Sequence, residues 1–120
     1  TRPDFMILIY PVISMQEGIT HGGSREALIG KNPSAELIKR YSNELQVTDK
    51  TPKTYMVHST DDEAVPVSNT WSFQQAMLKA GVSCEAHVYP YGGHGYSLAI
   101  GQGRLGEWPE HLISWLRELR

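Results

Sequence analysis

The sequence predicts an α/β fold: three layers, α/β/α, with helices covering both faces of a parallel sheet. Three observations predict it. Phe5 to Tyr10 is an apolar run without alternation, stopped by Pro11, as suits a strand buried on both faces. Further strand-like runs then alternate with helix-patterned segments. Finally, an acid pair, Asp61-Asp62, and a glycine-framed histidine, Gly92-Gly93-His94-Gly95, each follow a strand-like run. Open parallel sheets collect functional side chains at the carboxyl ends of their strands.

The first strand, Phe5-Met6-Ile7-Leu8-Ile9-Tyr10, has no preceding hairpin or crossover to shelter it. The expectation is a chain cut inside a domain, so that residues 1–120 form a single partial domain. From Ser14 to Gly30 the chain is polar and glycine-bearing, with a short helical piece around Arg25 to Ile29. Asn32-Pro33-Ser34 then opens a helix, Asn32 as its cap and Pro33 in its first turn. Ile38, Tyr41 and Leu45 are expected on one side of it. Thr54 to His58 is the second strand, centred on Tyr55-Met56-Val57.

Ser68 to Ala80 reads as a helix stopped by Gly81, with Trp71, Met77 and Ala80 among its apolar positions. Cys84 to Tyr89 alternates: Cys84, Ala86 and Val88 face one way and Glu85, His87 and Tyr89 the other. Such a half-polar strand belongs near a sheet edge. The last helix, about Glu107 to Leu119, places Trp108, Leu112, Trp115, Leu116 and Leu119 on one buried face.

Bulk properties narrow the function classes. The 120 residues are 40% hydrophobic and 20% charged, an ordinary globular composition. The formal charge of −2 gives no electrostatic reason to expect nucleic acid or an anionic membrane. The longest apolar stretch falls far short of the ~20 residues that span a bilayer. The single cysteine, Cys84, excludes an internal disulfide.

The chemistry sits in two segments, His58-Ser59-Thr60-Asp61-Asp62 and Gly92-Gly93-His94-Gly95-Tyr96. An acid followed by a histidine, each at a strand's carboxyl end, matches the second and third members of a Ser-Asp-His triad. The imidazole is the general base, and the acid holds it in the right tautomer. The plain alternative is that Asp62 caps the following helix and His94 decorates a loop. The order and placement of the two together favour the catalytic reading. No G-x-S-x-G elbow is present.

Here the sequence resembles a family. Ile9-Tyr10-Pro11-Val12, Thr20-His21-Gly22-Gly23-Ser24-Arg25, Leu28-Ile29-Gly30, Asn32-Pro33-Ser34, Val57-His58-Ser59-Thr60-Asp61-Asp62, Val65-Pro66-Val67 and Gly92-Gly93-His94-Gly95 carry the resemblance. They are similar to the carboxyl-terminal half of α/β-hydrolases, nearest to bacterial acetyl-ester and acetyl-xylan-esterase-like hydrolases, some grouped with xylanases. More distantly they resemble the prolyl-oligopeptidase and dienelactone-hydrolase groups. In such families the triad acid stands four residues after a strand-end histidine, which implies Asp62, not Asp61. The base is implied to be His94. The elbow serine and the oxyanion loop would precede Phe5.

Other residues weigh less. Gly22-Gly23-Ser24-Arg25-Glu26 lacks an elbow's closing glycine. His21-Gly22-Gly23 follows the strand that an oxyanion loop should precede. Within the resemblance this stretch is a cap-like loop, and His21 and Arg25 are candidate substrate contacts, against the alternative of solvated loop residues. Asp61 beside Asp62 does not make a glycosidase pair, because adjacent side chains diverge whereas such carboxylates face each other across ~5–9.5 Å. No metal-ligand spacing appears, and His58 is expected to bond backbone. His87 and His111 read as structural or exposed, Trp71, Trp108 and Trp115 as packing, and Cys84 as core.

The expectation is that the full-length parent is a carboxylic ester hydrolase without cofactor or metal, deacetylating a sugar or a plant polysaccharide such as xylan, and that this chain alone is inactive. The runner-up activity is a serine peptidase of prolyl-oligopeptidase type. A third reading is an inert, self-associating fragment, because an apolar strand edge near residues 5–10 invites pairing with a second copy. The compartment stays open.

Overall fold

A computed structural model describes residues 1–119. Three strands form its sheet: β1 (Phe5–Ile9), β2 (Lys53–Ser59) and β3 (Cys84–Tyr89). They lie parallel in the order β1-β2-β3, with Ile9 beside Val57 and His58 beside Val88. The helices are α1 (Gly22–Ile29), α2 (Ala35–Tyr41), α3 (Ser68–Lys79) and α4 (Trp108–Glu118), with 3-10 turns at Asn43–Leu45 and Gly103–Glu107.

Alternation along β2 divides the core. Tyr55 and Val57 pack with Trp108, Trp115 and Leu105 on the α4 face. Met56 packs with Phe73, Met77 and Ile13 on the α3 face. Successive strand side chains point to opposite faces, so a run apolar at every position is covered on both sides, as the three-layer prediction requires. Residues Thr54 to Ser59 are all buried. β3 occupies a sheet edge, in line with its half-polar pattern.

Several local expectations are corrected. Ser34, not Asn32, caps α2, its hydroxyl accepting from the Leu37 amide, so Pro33 lies outside the first turn. α2 ends at Ser42, whose Oγ donates to the Ile38 carbonyl at 2.7 Å and accepts from the Met15 amide at 3.0 Å. That break leaves Tyr41 and Leu45 exposed and buries Glu44 instead. α1 begins three residues earlier than the expected helical piece because His21 caps it. On α3 the buried side chains are Asn69, Thr70, Phe73 and Met77. Trp71 falls off that face and is 49% exposed, so core packing does not account for it.

Candidate active site

The site is assembled by the two loops that leave β2 and β3. From the last residue of β2 onward, four consecutive residues reach across to the end of β3 and the loop that follows it. Ser59 Oγ donates to the Gly93 carbonyl (2.7 Å), and the Thr60 amide donates to the Tyr89 carbonyl (2.8 Å). The Asp61 carboxylate accepts from the amides of Gly93 (2.8 Å) and Gly92 (3.3 Å). Asp62 Oδ2 accepts from His94 Nδ1 at 2.8 Å. The acid and the histidine singled out in the sequence are thus in direct contact.

Asp62 is fixed at both oxygens. Oδ1 accepts from the amides of Ala64 (3.0 Å) and Val65 (2.8 Å), closing a turn on its own chain. Oδ2 meets His94 and also His58 Nε2 at 3.1 Å. Burial pushes the Asp62 pKa up, but hydrogen bonds from the Val65 amide, His94 and His58 outweigh it. The carboxyl is held below its ordinary value and is ionised near neutral pH.

His58 is fully buried, and its partners set its tautomer. Nε2 faces two acceptors, Asp62 Oδ2 and the Val65 carbonyl (3.0 Å), so it carries the proton. Nδ1 is then free to accept from Thr70 Oγ1 on α3 (2.8 Å). Burial pushes the His58 pKa below its ordinary value despite Asp62 and the Val65 carbonyl, which act to raise it. The residue is a neutral strut. The expectation that His58 bonds backbone holds at Val65, and the sequence reading missed its second contact, with Asp62. The four-residue interval from His58 to Asp62 was the available signal.

His94 is the accessible member of the pair, its side chain 38% exposed. Donation from Nδ1 makes Nε2 the basic nitrogen of the neutral ring. The ring meets Tyr10 edge-on, centroids 4.6 Å apart, and Tyr10 in turn meets Tyr96 at 4.9 Å. Tyr10 closes β1 with a left-handed φ of 37°, uncommon for a bulky residue. Strain of this kind collects at functional sites. Composition gave no hint of it.

The remaining candidates lie elsewhere. His21 Nδ1 accepts from the Ser24 amide (3.2 Å) and contacts Ser24 Oγ (2.9 Å), capping α1. Arg25 lies 3.8 Å from Glu17, and its buried Nε has no partner among the described residues. Neither His21 nor Arg25 is hydrogen-bonded to Asp62 or His94 among the described residues. Ser24 is spent on its own helix terminus and makes no elbow. Burial pushes the Cys84 thiol up to about 11, which keeps it protonated and a poor nucleophile. No cluster of metal-ligating side chains occurs among the described residues.

The parallel sheet with its flanking helices has the fold of an α/β hydrolase, superposing on one from a deep-sea metagenome library with a TM-score of 0.68. Within that class the chain belongs to the prolyl oligopeptidase family, whose sequence profile matches residues 11–119. It is 34% identical over 122 residues to an acetylxylan esterase of Xylanibacter ruminicola, covering 98% of this chain and 25% of that protein. It is 38% identical over 98 residues to endo-1,4-beta-xylanase B of Butyrivibrio fibrisolvens, covering 82% of this chain and 15% of that protein. Its structure superposes on the acetyl ester-xyloside bifunctional hydrolase of Caldicellulosiruptor lactoaceticus with a TM-score of 0.95 and 40% identity, over 98% of this chain and 43% of that one. The chain therefore spans a quarter or less of the curated relatives it matches.

Proposed function

We propose that residues 1–120 supply the acid and base of a serine-type carboxylic ester hydrolase that removes acetyl groups from a sugar or a xylan-type polysaccharide. The observation that carries this reading is the 2.8 Å contact between His94 Nδ1 and an Asp62 carboxylate already anchored by two backbone amides. An orienting acid held this way fixes the imidazole tautomer and stabilises the imidazolium that forms. The acetyl and xylan assignments draw on the names of the relatives, an acetylxylan esterase and an acetyl ester-xyloside hydrolase.

In this reading a serine from polypeptide outside residues 1–120 attacks the acyl carbon while His94 Nε2 takes its proton. The tetrahedral adduct collapses as His94 returns that proton to the departing sugar oxygen. Water then repeats the sequence on the acyl-serine, releasing acetic acid. Tyr10 and Asp62 hold the ring throughout. Peptide-bond cleavage is the second reading, favoured by the family match, and the same two side chains would serve it.

The test compares 4-nitrophenyl acetate and acetylated xylan with a proline-containing peptide, using polypeptide that includes the upstream half. Ester turnover that falls ~10³-fold or more in His94→Ala is expected, and turnover of the peptide alone would select the second reading. Fluorophosphonate labelling of the 120-residue chain should give no adduct. A stoichiometric adduct on Ser24, lost in His94→Ala, would overturn the assignment of the nucleophile to another segment. The outer edge of β1 pairs with no strand among the described residues, and Phe5 on it is 40% exposed. That edge supports self-association of the isolated chain. Sedimentation at micromolar concentration should show a dimer or larger species, and monomer alone would refute it.

A further inference from the structure

We propose that Asp61 is a positioning residue for His94: its carboxylate grips the Gly92–Gly93 turn and thereby sets the imidazole on Asp62. The catalytic meaning of this clamp rests on the reading of His94 as the general base. The clamp itself stands on geometry. Asp61 Oδ1 and Oδ2 accept from the amides of Gly93 and Gly92, which lie 32 and 31 residues further along the chain. Two successive amides turned toward one anion form a small anion-binding concavity.

Glycine makes that concavity possible. Gly92 and Gly93 have φ values of 135° and 63°, in the left-handed region. The same freedom is a liability, because a segment with glycine at 92, 93 and 95 has much to lose on ordering. Charge-assisted hydrogen bonds are roughly twice as strong as neutral ones, and Asp61 makes two of them adjacent to His94. Without them the ties from this loop to the end of β2 are Ser59–Gly93, Thr60–Tyr89 and the Asp62–His94 bond itself. The amide hydrogen bonds, led by Gly93, also hold the Asp61 carboxyl below its ordinary pKa, so the anion persists at neutral pH.

An exposed aspartate beside a catalytic one otherwise reads as surface charge. Here its side chain diverges from Asp62, as neighbours do, and that divergence sends it to the backbone of the histidine loop. Asp61 and Asp62 thus act on successive residues of one turn, the first on its amides and the second on its ring.

The test is amide exchange and imidazole nitrogen NMR on the 120-residue chain, with Asp61→Ala and Asp61→Asn. In Asp61→Ala the Gly93 amide should exchange at least ~10-fold faster. His94 should pass from a single Nδ1–H tautomer to a mixture. Asp61→Asn keeps one acceptor oxygen and should fall between. The melting temperature should move little, since the two bonds that Asp61 makes tie down this loop and not the core. In polypeptide that includes the upstream half, Asp61→Ala should lower kcat ~100-fold, the order expected for a misplacement of about 1 Å, with KM nearly unchanged. Wild-type exchange and tautomer in both variants would overturn the clamp, leaving ester hydrolysis untouched. Loosened His94 in a protein that hydrolyses no ester would uphold the clamp and remove the proposed function instead.

Discussion

His58 and His94 donate to the same oxygen of one carboxylate, Asp62 Oδ2, at 3.1 and 2.8 Å. The two imidazoles differ in their surroundings. His58 is sealed between Asp62, the Val65 carbonyl and Thr70, whereas His94 is partly open to solvent. One oxygen cannot favour two cations equally, and burial decides that His58 is the neutral one. The arrangement leaves the charge of Asp62 to act on His94.

The neutral state of His58 predicts a pH-dependent stability. Its folded pKa lies below the ordinary 6.5, so between the folded value and 6.5 the unfolded chain binds more protons. Stability should therefore be complete above about pH 6.5 and fall as pH drops through that range. Asp62 adds acid loss at lower pH, since its depressed pKa withdraws stability only as pH falls toward the folded value. Urea midpoints at about pH 7.5 and about pH 5.5 should differ in wild type and differ much less in His58→Gln. A wild-type midpoint that rises on acidification would contradict a neutral His58.

Asp62→Asn should reverse the His94 tautomer. The substituted side chain keeps an oxygen for the Ala64 and Val65 amides and turns its amino group toward the two imidazoles. His94 Nδ1 then has to accept, and the proton moves to Nε2, the nitrogen a general base needs free. Nitrogen chemical shifts of His94 should show Nδ1–H in wild type and Nε2–H in the variant. The same change in polypeptide with the upstream half should cost ~10³–10⁴-fold in kcat. A variant retaining the Nδ1–H form would show that something other than Asp62 orients the ring.

Much of this was legible in the sequence, and for a local reason. Apolar runs and turn residues are short-range signals, so the three strands, α3 and α4 fall where the pattern places them. Asp62 and His94 were legible because strand ends locate them. What escaped notice depends on partners far along the chain. Asp61 reads as a redundant charge until the Gly93 amide, 32 residues away, meets it. Trp71 reads as core until the burial of Thr70, Phe73 and Met77 fixes the orientation of α3. The cap of α2 is a local ambiguity instead: Asn32 and Ser34 both suit it, and the Ser34 hydroxyl is the one that accepts from an amide, that of Leu37 three residues on.

Gly92 and Gly93 should respond differently to alanine. A Cβ at Gly92 would lie 2.6 Å from Leu105 Cδ2 and 3.1 Å from Tyr96 Cδ1, and Leu105 is fully buried, so any shift of its side chain disturbs the core around it. With φ at 135° the backbone is strained as well. Gly92→Ala should cost about 2–5 kcal/mol from strain and overpacking together. At Gly93 a Cβ meets nothing within 4 Å, so Gly93→Ala should cost only the left-handed backbone term, about 1–2 kcal/mol. Chemical denaturation of both variants checks the order, and equal losses would show that the steric contact at Gly92 relaxes.

All four hydrogen bonds of the Asn69 side chain are made inside the protein. Oδ1 accepts from the Ile13 and Ser14 amides at 2.9 and 3.0 Å. Nδ2 donates to the Ile19 carbonyl at 2.6 Å and the Pro66 carbonyl at 2.9 Å. The side chain is fully buried at the start of α3, and it joins the segment after β1 to the segment after Asp62. Asn69→Asp retains the two accepted bonds but sets a carboxylate against two carbonyls. Uncompensated buried charge of this kind costs about 3–5 kcal/mol. Asn69→Leu strands the Ile13 and Ser14 amides and the Ile19 carbonyl without adding charge, at about 1–3 kcal/mol for each group left unsatisfied, while the Pro66 carbonyl keeps the backbone amide of residue 69. Asn69→Asp should recover stability on mild acidification as the new carboxyl protonates and regains one donor, while Asn69→Leu should not. Urea midpoints of the two variants across pH test this, and parallel profiles would show that the donated bonds to Ile19 and Pro66 contribute little.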